Sequence, residues 1–335
     1  MLVAGFLVFA VLLGLAWQAA LQMAPTQLSI RLLGFGLDTT SVHEHINNAA
    51  LIFLLLPAAL WIECLAVGWA GSSARQLLFA RTPSTNTDLA CFLLGQAHVL
   101  DIAGRLLMLG ATLVSGAAAH DWLVSATGFE VGVGSLPLAL QVLACFWLVT
   151  FFDYWTHRLD HAPLLWPLHR YHHSARDFAV VTSVRQHPAH FTAIFVINAP
   201  MAVLGASAEA MIYVNVLVVS LGFLIHSKID SDWGWFGRYV LQSPNHHRLH
   251  HKLDMSHPTG HFSMAPIWDR LFGTWHGDAD PSLPIGVSTP YGHGYFVPAD
   301  MARDYLHFWW GLVGGRNDGP GADIAFLRRR GDTGR

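Results

Sequence analysis

Of the 21 histidines in this 335-residue chain, 14 fall between His157 and His261. Imidazole is the commonest metal-ligating side chain, and three short runs repeat spacings that stack it on one face of a helix. His157-Arg-Leu-Asp-His161 places two rings four residues apart. His169-Arg-Tyr-His172-His173 aligns three, and His246-His247-Arg-Leu-His250-His251 repeats that H-x-x-H-H spacing at 247, 250 and 251. A lone histidine near a membrane surface is ordinarily a satisfied interfacial group. Eight neutral imidazoles on three short helical stretches are different: they leave many ring nitrogens in need of partners in an apolar setting, and metal ions satisfy them best. No thiolate lies nearby, so the donor set suits iron, zinc, copper or nickel rather than iron–sulfur clusters or Cys-rich zinc.

Two single histidines extend the set. His187 stands before Pro188, a residue suited to opening a helix, and His226 ends the apolar run that follows. A helical hairpin between them returns both to the same membrane side as the three runs, bringing the candidate ligands to ten: His157, His161, His169, His172, His173, His187, His226, His247, His250 and His251. Ten imidazoles are too many for one ion. Two metals, each with four or five nitrogens and an open position, would use them. His190 shares a helical face with His187 and its role stays open, as do those of His246, read as a neighbour of the site, and His261, read as peripheral. Ligating imidazoles commonly donate their second N–H to a carboxylate or carbonyl, and Asp153, Asp160 and Asp254 lie close enough in sequence to serve.

The elements that position these rings follow from composition. Hydrophobic residues make up 53% of the chain and charged residues 12%, against about 25% charged in an ordinary soluble domain. With a mean hydropathy of +0.39, disorder and most water-soluble folds are excluded. A net charge of −3 offers no basic excess for nucleic acid. Cys64, Cys91 and Cys145 lie in apolar stretches at spacings that fit neither a disulfide framework nor a zinc ribbon. Leu2–Ala24 carries no charge and as a helix covers ~35 Å, enough for a first span rather than a cleaved leader. Further apolar blocks run over 49–74 with Glu63 as its only charge, 89–118 with Asp101 and Arg105, 131–152, and 191–225 with a break at Gly205-Ala206-Ser207. Charges within spans face the protein interior, and Asp101 and Arg105, four apart, read as an internal ion pair.

Loops 71–88 and 157–188 carry Arg75, Arg81, Arg158, Arg170, Arg176 and Arg185, while the alternate loops carry only Arg31. By the positive-inside rule the histidine runs and the C-terminus are cytoplasmic. The expected fold is all-α and integral to the membrane: a multi-pass helical transmembrane bundle with a cytoplasmic His-rich helical cap. Its expected division is an N-terminal transmembrane region over 1–87, a catalytic domain over 88–276 and a cytoplasmic tail over 277–335.

The order H-x3-H, H-x2-HH, His-Pro, hairpin, lone His and H-x2-HH resembles the fatty acid hydroxylase and sterol desaturase superfamily of integral-membrane di-iron oxygenases. Trp268-Asp-Arg-Leu-Phe-Gly-Thr274 resembles that family's closing string. The resemblance implies two iron ions held by the ten histidines, activation of dioxygen, and hydroxylation or desaturation of a lipid. The family often shows Asn, Tyr and Gly where this chain has Thr259-Gly260-His261-Phe262, and an acidic residue where it has His190. With no nucleotide fingerprint, haem motif or Cys-rich cluster in the chain, the electrons are expected from a separate ferredoxin, rubredoxin or b-type cytochrome. Two rival readings are weaker. A metal transporter would place ligands at mid-membrane, and a zinc hydrolase or lyase would call for an activating carboxylate, yet no H-E-x-x-H occurs.

Overall fold

The computed structural model describes residues 2–26, 28–32, 35–39, 42–107, 121–122, 124–126, 128, 132–190, 201, 204–253, 260–277, 282, 284–294 and 297–315. Helix α1 (Leu2–Met23) packs along α2 (Val42–Gly71), and a small antiparallel hairpin joins them. Its strands, β1 (Leu28–Leu32) and β2 (Phe35–Thr39), pair Leu28 with Thr39 through Leu32 with Phe35. Apart from this hairpin and an isolated bridge between Lys252 and Ile285, the described residues form helices and connections.

Three helical stretches are long and apolar enough to cross a membrane: Gly5–Met23, Phe53–Gly71 and Leu138–Asp160. The chain is therefore an all-α membrane protein in its main architecture. Glu63, the one charge in the second span, is fully buried. Its carboxylate accepts hydrogen bonds from the Ser73 amide and hydroxyl and from the Lys228 amide, so a charge that would be costly in lipid instead ties the span to the chain after His226.

The third apolar block departs from a single span. After the short α3 (Ser73–Phe79), its described part is divided between α4 (Pro83–Gln96) and α5 (Val99–Leu107). Thr82 and Thr85 form a capping box that starts α4, with Pro83 in its first turn. The helix stops at Ala97 because His98 adopts a left-handed φ of 57°. The side chains of Asp101 and Arg105 lie outside the described residues, as does the stretch 108–120.

Helix α6 (Leu138–Asp160) begins after Pro137 and runs out of the membrane span into the first histidine pair. It is followed by α7 (Trp166–His173), a 3-10 turn (Val180–Val184), and α8 (Ala208–Ile225), the returning limb of the expected hairpin. Residues 191–200 of its outgoing limb lie outside the described residues. The break at 205–207 is a turn: Gly205 has φ 61°, and the Ser207 side chain caps α8 by accepting from the Ala210 amide. Cys145 and Val149 of α6 meet Val214 and Val218 of α8 in one buried apolar cluster. All three cysteines are free and buried, as their apolar settings suggest.

Four more helices follow among the described residues: α9 (Gly234–Tyr239), α10 (Pro244–His250), α11 (Pro266–Leu271) and α12 (Val297–Leu312). The closing string seats α11 on α6. Trp268 donates to the Thr150 hydroxyl and lies edge-on to Trp147 and Phe151, while Phe272 stacks on Tyr154.

The segment after 276, expected as a tail, contains α12 packed on α7 and α4. Asp304 of α12 is fully buried against Arg170 at 2.7 Å and accepts from Tyr291 Oη at 2.6 Å. With the Glu63–Lys228 contact, this ion pair shows that both expected domain boundaries, at 87 and 276, are crossed by buried polar contacts.

Candidate metal centre

Four helices end at one point. His157 lies in the last turn of α6 and His161 caps it; His172 and His173 close α7; His226 caps α8; His250 and His251 end α10. Local sequence sets these stops. Ser243 caps α10 by accepting from the His246 amide, with Pro244 in the first turn, so the seven-residue helix presents His247, His250 and His251 together. A helix C-terminus carries roughly half a negative charge, and four of them aimed at one centre favour a cation there.

The ring nitrogens fall into two groups, each with its ligand atoms within 4.8 Å of one another. One holds His157, His161, His169, His173 and His250; the other holds His172, His226, His247 and His251. They abut where the His173 and His251 rings stack at 4.1 Å.

Proton placement fits these rings to metal ions. His157 Nδ1 donates to the Phe262 carbonyl at 2.6 Å and His250 Nδ1 to the Gly260 carbonyl at 2.7 Å. His172 Nδ1 donates to Arg185 O, His226 Nδ1 to Gly222 O and His247 Nδ1 to Gln242 Oε1, at 3.1, 2.7 and 3.0 Å. Each such bond fixes the tautomer and turns an Nε2 lone pair inward. Yet His247 Nε2 lies 2.9 Å from His226 Nε2, which lies 3.3 Å from His172 Nε2. With every Nδ1 protonated no hydrogen is left to lie between them, and a cation is the partner such lone pairs require.

The five-histidine group shows the same need differently. Both nitrogens of His161 and Nε2 of His250 are buried without a hydrogen-bond partner. Burial holds His161, His169, His172, His173, His247, His250 and His251 well below the ordinary imidazole range, and His226 down to about 4. Neutral imidazole is the ligating form.

Nine of the ten sequence candidates therefore come together. His187 departs from that expectation: its Nε2 donates to Met301 O at 2.8 Å and its Nδ1 accepts from the Ala189 amide at 3.0 Å, which occupies both nitrogens in fastening α12. His190 instead pairs with Asp160, Nε2 to Oδ2 at 2.6 Å, and this pair reaches the five-histidine group through His169. His246 and His261 stack on each other and pack at a tilt against Trp275, outside both groups.

The carboxylate candidates also land differently. Asp153 accepts from the Met264 amide rather than from an imidazole, Asp160 serves His190, and Asp254 lies outside the described residues. Carbonyls supply most of the acceptors because the loops themselves are held rigidly. Asp269 accepts from the Phe262 and Ser263 amides at 2.8 and 3.0 Å, which aims the Phe262 carbonyl at His157. Gly260 passes so close to the Thr274 carbonyl that a Cβ has no room, and so its own carbonyl reaches His250. Arg185, fully buried, binds Asp88 at 2.6 Å and donates to Ser174 and Ser84, fixing the carbonyl that orients His172. Gln242, Asp269, Arg185 and Asp88 were not singled out from sequence. Only Asp269 carried a signal, its place in the closing string.

Residues 142–274 match the fatty acid hydroxylase family, and all nine clustered histidines fall inside that match. Over these residues the chain is similar to the fatty acid hydroxylase family. It is similar to the ornithine lipid hydroxylase OlsE of Rhizobium tropici, 30% identical over 175 residues, covering 50% of this chain and 51% of that protein. It is also similar to the alkylglycerol monooxygenase of Danio rerio, 28% identical over 141 residues, covering 42% of this chain and 31% of that protein. For the Homo sapiens alkylglycerol monooxygenase the figures are 26% over 164 residues, 48% and 36%. These matches thus span about half or less of the relatives' own lengths. No solved structure gives a significant match.

Proposed function

We propose that this chain is a member of the fatty acid hydroxylase superfamily and a membrane-bound di-iron oxygenase that hydroxylates a lipid chain with dioxygen and externally supplied electrons. The observation that carries the reading is the pair of adjoining all-imidazole groups with inward lone pairs. His157, His161, His169, His173 and His250 would hold one iron, and His172, His226, His247 and His251 the other. Bound iron supplies the one-electron and dioxygen chemistry needed at an unactivated C–H bond.

The remaining tasks belong to the chain. Phe262, Gly260, Arg185, Gly222 and Gln242 keep five imidazoles in the ligating tautomer. Burial keeps the rings neutral and limits the access of water. The apolar spans offer a lipid a route from the bilayer to a site at the helix ends. The named relatives are an ornithine lipid hydroxylase and two alkylglycerol monooxygenases, which favours hydroxylation over desaturation here and a lipid with a polar headgroup over a sterol. We read the Arg-bearing connections as cytoplasmic, where a ferredoxin, rubredoxin or b-type cytochrome would dock.

The test is oxygen-isotope incorporation. Full-length protein in lipid nanodiscs, loaded with iron and given a chemical reductant, a mixed lipid extract and 18O2, should yield a lipid heavier by one labelled oxygen atom. His250→Ala should abolish it. Label entering only from water, or a product lacking two hydrogens with no added oxygen, would overturn hydroxylation.

A further inference from the structure

Helix α12 is built inside out for a helix surrounded by water. Its buried positions, Val297, Asp300, Met301, Asp304 and Phe308, recur at helical spacing and include two carboxylates. Arg303 joins that inner polar side by pairing with Asp300 and Asp304, both at 3.3 Å. The opposite stripe, Pro298, Ala299, Ala302, Leu306, Trp309, Trp310 and Val313, is exposed and carries no charge. Leu306 is 67% exposed, Trp310 62% and Val313 76%. His307, at the stripe's edge, turns its Nδ1 to Arg170 at 2.6 Å.

Two further observations say what covers this face. First, α12 is moored to the third apolar block: Val297 and Met301 share a buried cluster with Cys91, and Leu94 of α4 and Leu100 of α5 pack against it. That block shows the same outward chemistry, with Leu93, Val99 and Ile102 about half exposed or more. The apolar stripe of α12 thus continues the exposed apolar surface of α4 and α5. Second, the helix is ~24 Å long at ~1.5 Å per residue, shorter than a ~30 Å hydrocarbon core. The buried Asp304–Arg170 ion pair and the packing of Val297 and Met301 tie its inner side to the protein, so it lies along a surface and does not cross. Tryptophans on the apolar side are the residues favoured at the headgroup level.

We propose that α12 is an in-plane membrane helix whose outward stripe is seated in the lipid interface, so that residues 297–312 are a membrane-bound strap over α7. This goes beyond the oxygenase reading and does not depend on it.

The test is site-directed spin labelling of the full chain in phosphatidylcholine/phosphatidylglycerol nanodiscs. Leu306→Cys, Trp310→Cys and the milder Ala302→Cys receive a nitroxide, with Asp232→Cys as the aqueous control and unmutated protein as the labelling control, since Cys64, Cys91 and Cys145 are buried. Variants are admitted to measurement when size exclusion and limited proteolysis match the unmutated protein; Ala302→Cys keeps a small residue and the test open if the larger changes unfold the chain. At the three α12 positions, collision rates with oxygen are expected to exceed those with a water-soluble nickel chelate several-fold, reversing at position 232. Nickel rates as high on α12 as at 232 would overturn the proposal. So would low rates with both probes, the mark of a face covered by protein such as a second copy.

Discussion

The two histidine groups share four helix ends yet are held differently. In the four-histidine group three rings, His172, His226 and His247, each have Nδ1 fastened to a carbonyl oxygen of the chain. In the five-histidine group only His157 and His250 do, and His161 has no hydrogen-bond partner at either nitrogen. The difference separates two ways of making a metal site: few ligands oriented in advance, or more ligands left to be ordered by the ion itself. The second group adjoins the Asp160–His190 pair, so the less fastened site is also the one with an ionisable neighbour.

The sharpest break comes from removing one ring in each group. His226→Ala and His161→Ala should each abolish turnover, and metal analysis should show one ion lost from different sites. If either variant keeps two ions and full activity, the grouping is wrong.

Acid is expected to act next most strongly on metal-free protein. Burial depresses His226 to about 4 from an ordinary 6.5. The unfolded chain takes up this proton below about 6.5 and the folded chain only near 4. Stability is therefore fully present above about 6.5 and lost as pH falls toward 4, by about 3 kcal/mol from this ring alone. The thermal midpoint of the chelated protein, measured between pH 7.5 and 4.5, should fall steadily; a flat profile would mean that the rings are not neutral and buried.

Gln242→Leu removes the acceptor of His247 and should weaken one of the two bound ions about 10–100-fold while sparing the other. Competition with a graded chelator reads this as one early and one late release. His187→Ala should leave both ions in place and cost roughly 1–3 kcal/mol in denaturant unfolding, because its nitrogens bond to Met301 and Ala189 instead of facing the groups. Loss of an ion in this variant would return His187 to the ligand set.

Much of this arrangement was legible in the sequence because its histidines sit at helical spacing. The runs at 157–161, 169–173 and 247–251 fix which rings share a face, and nine of ten candidates converge. His187 looked equivalent to His226 since both flank the same apolar run, but His226 is bound to a helix end while His187 stands in a loop that α12 captures. Nothing in the spacing of 277–335 announces α12 as part of the fold. Nothing in the sequence around Asp300 and Asp304 marks them as inward; their partners Arg170, Arg303 and Tyr291 are set by the fold. The carbonyl acceptors were illegible in principle, since backbone atoms leave no residue signature. The hairpin at 28–39 did leave one, an alternation of Leu28, Ile30 and Leu32 with Ser29 and Arg31, within a connection read only for its charge.

The central claim is that two irons occupy two imidazole groups of one chain. It is tested most directly by elemental analysis of the purified full-length protein beside His172→Ala and His250→Ala, one variant for each group. Close to two irons per unmutated chain, falling to about one or none in each variant, is the expected result. A single zinc per chain, or a metal content unchanged by both substitutions, would contradict it.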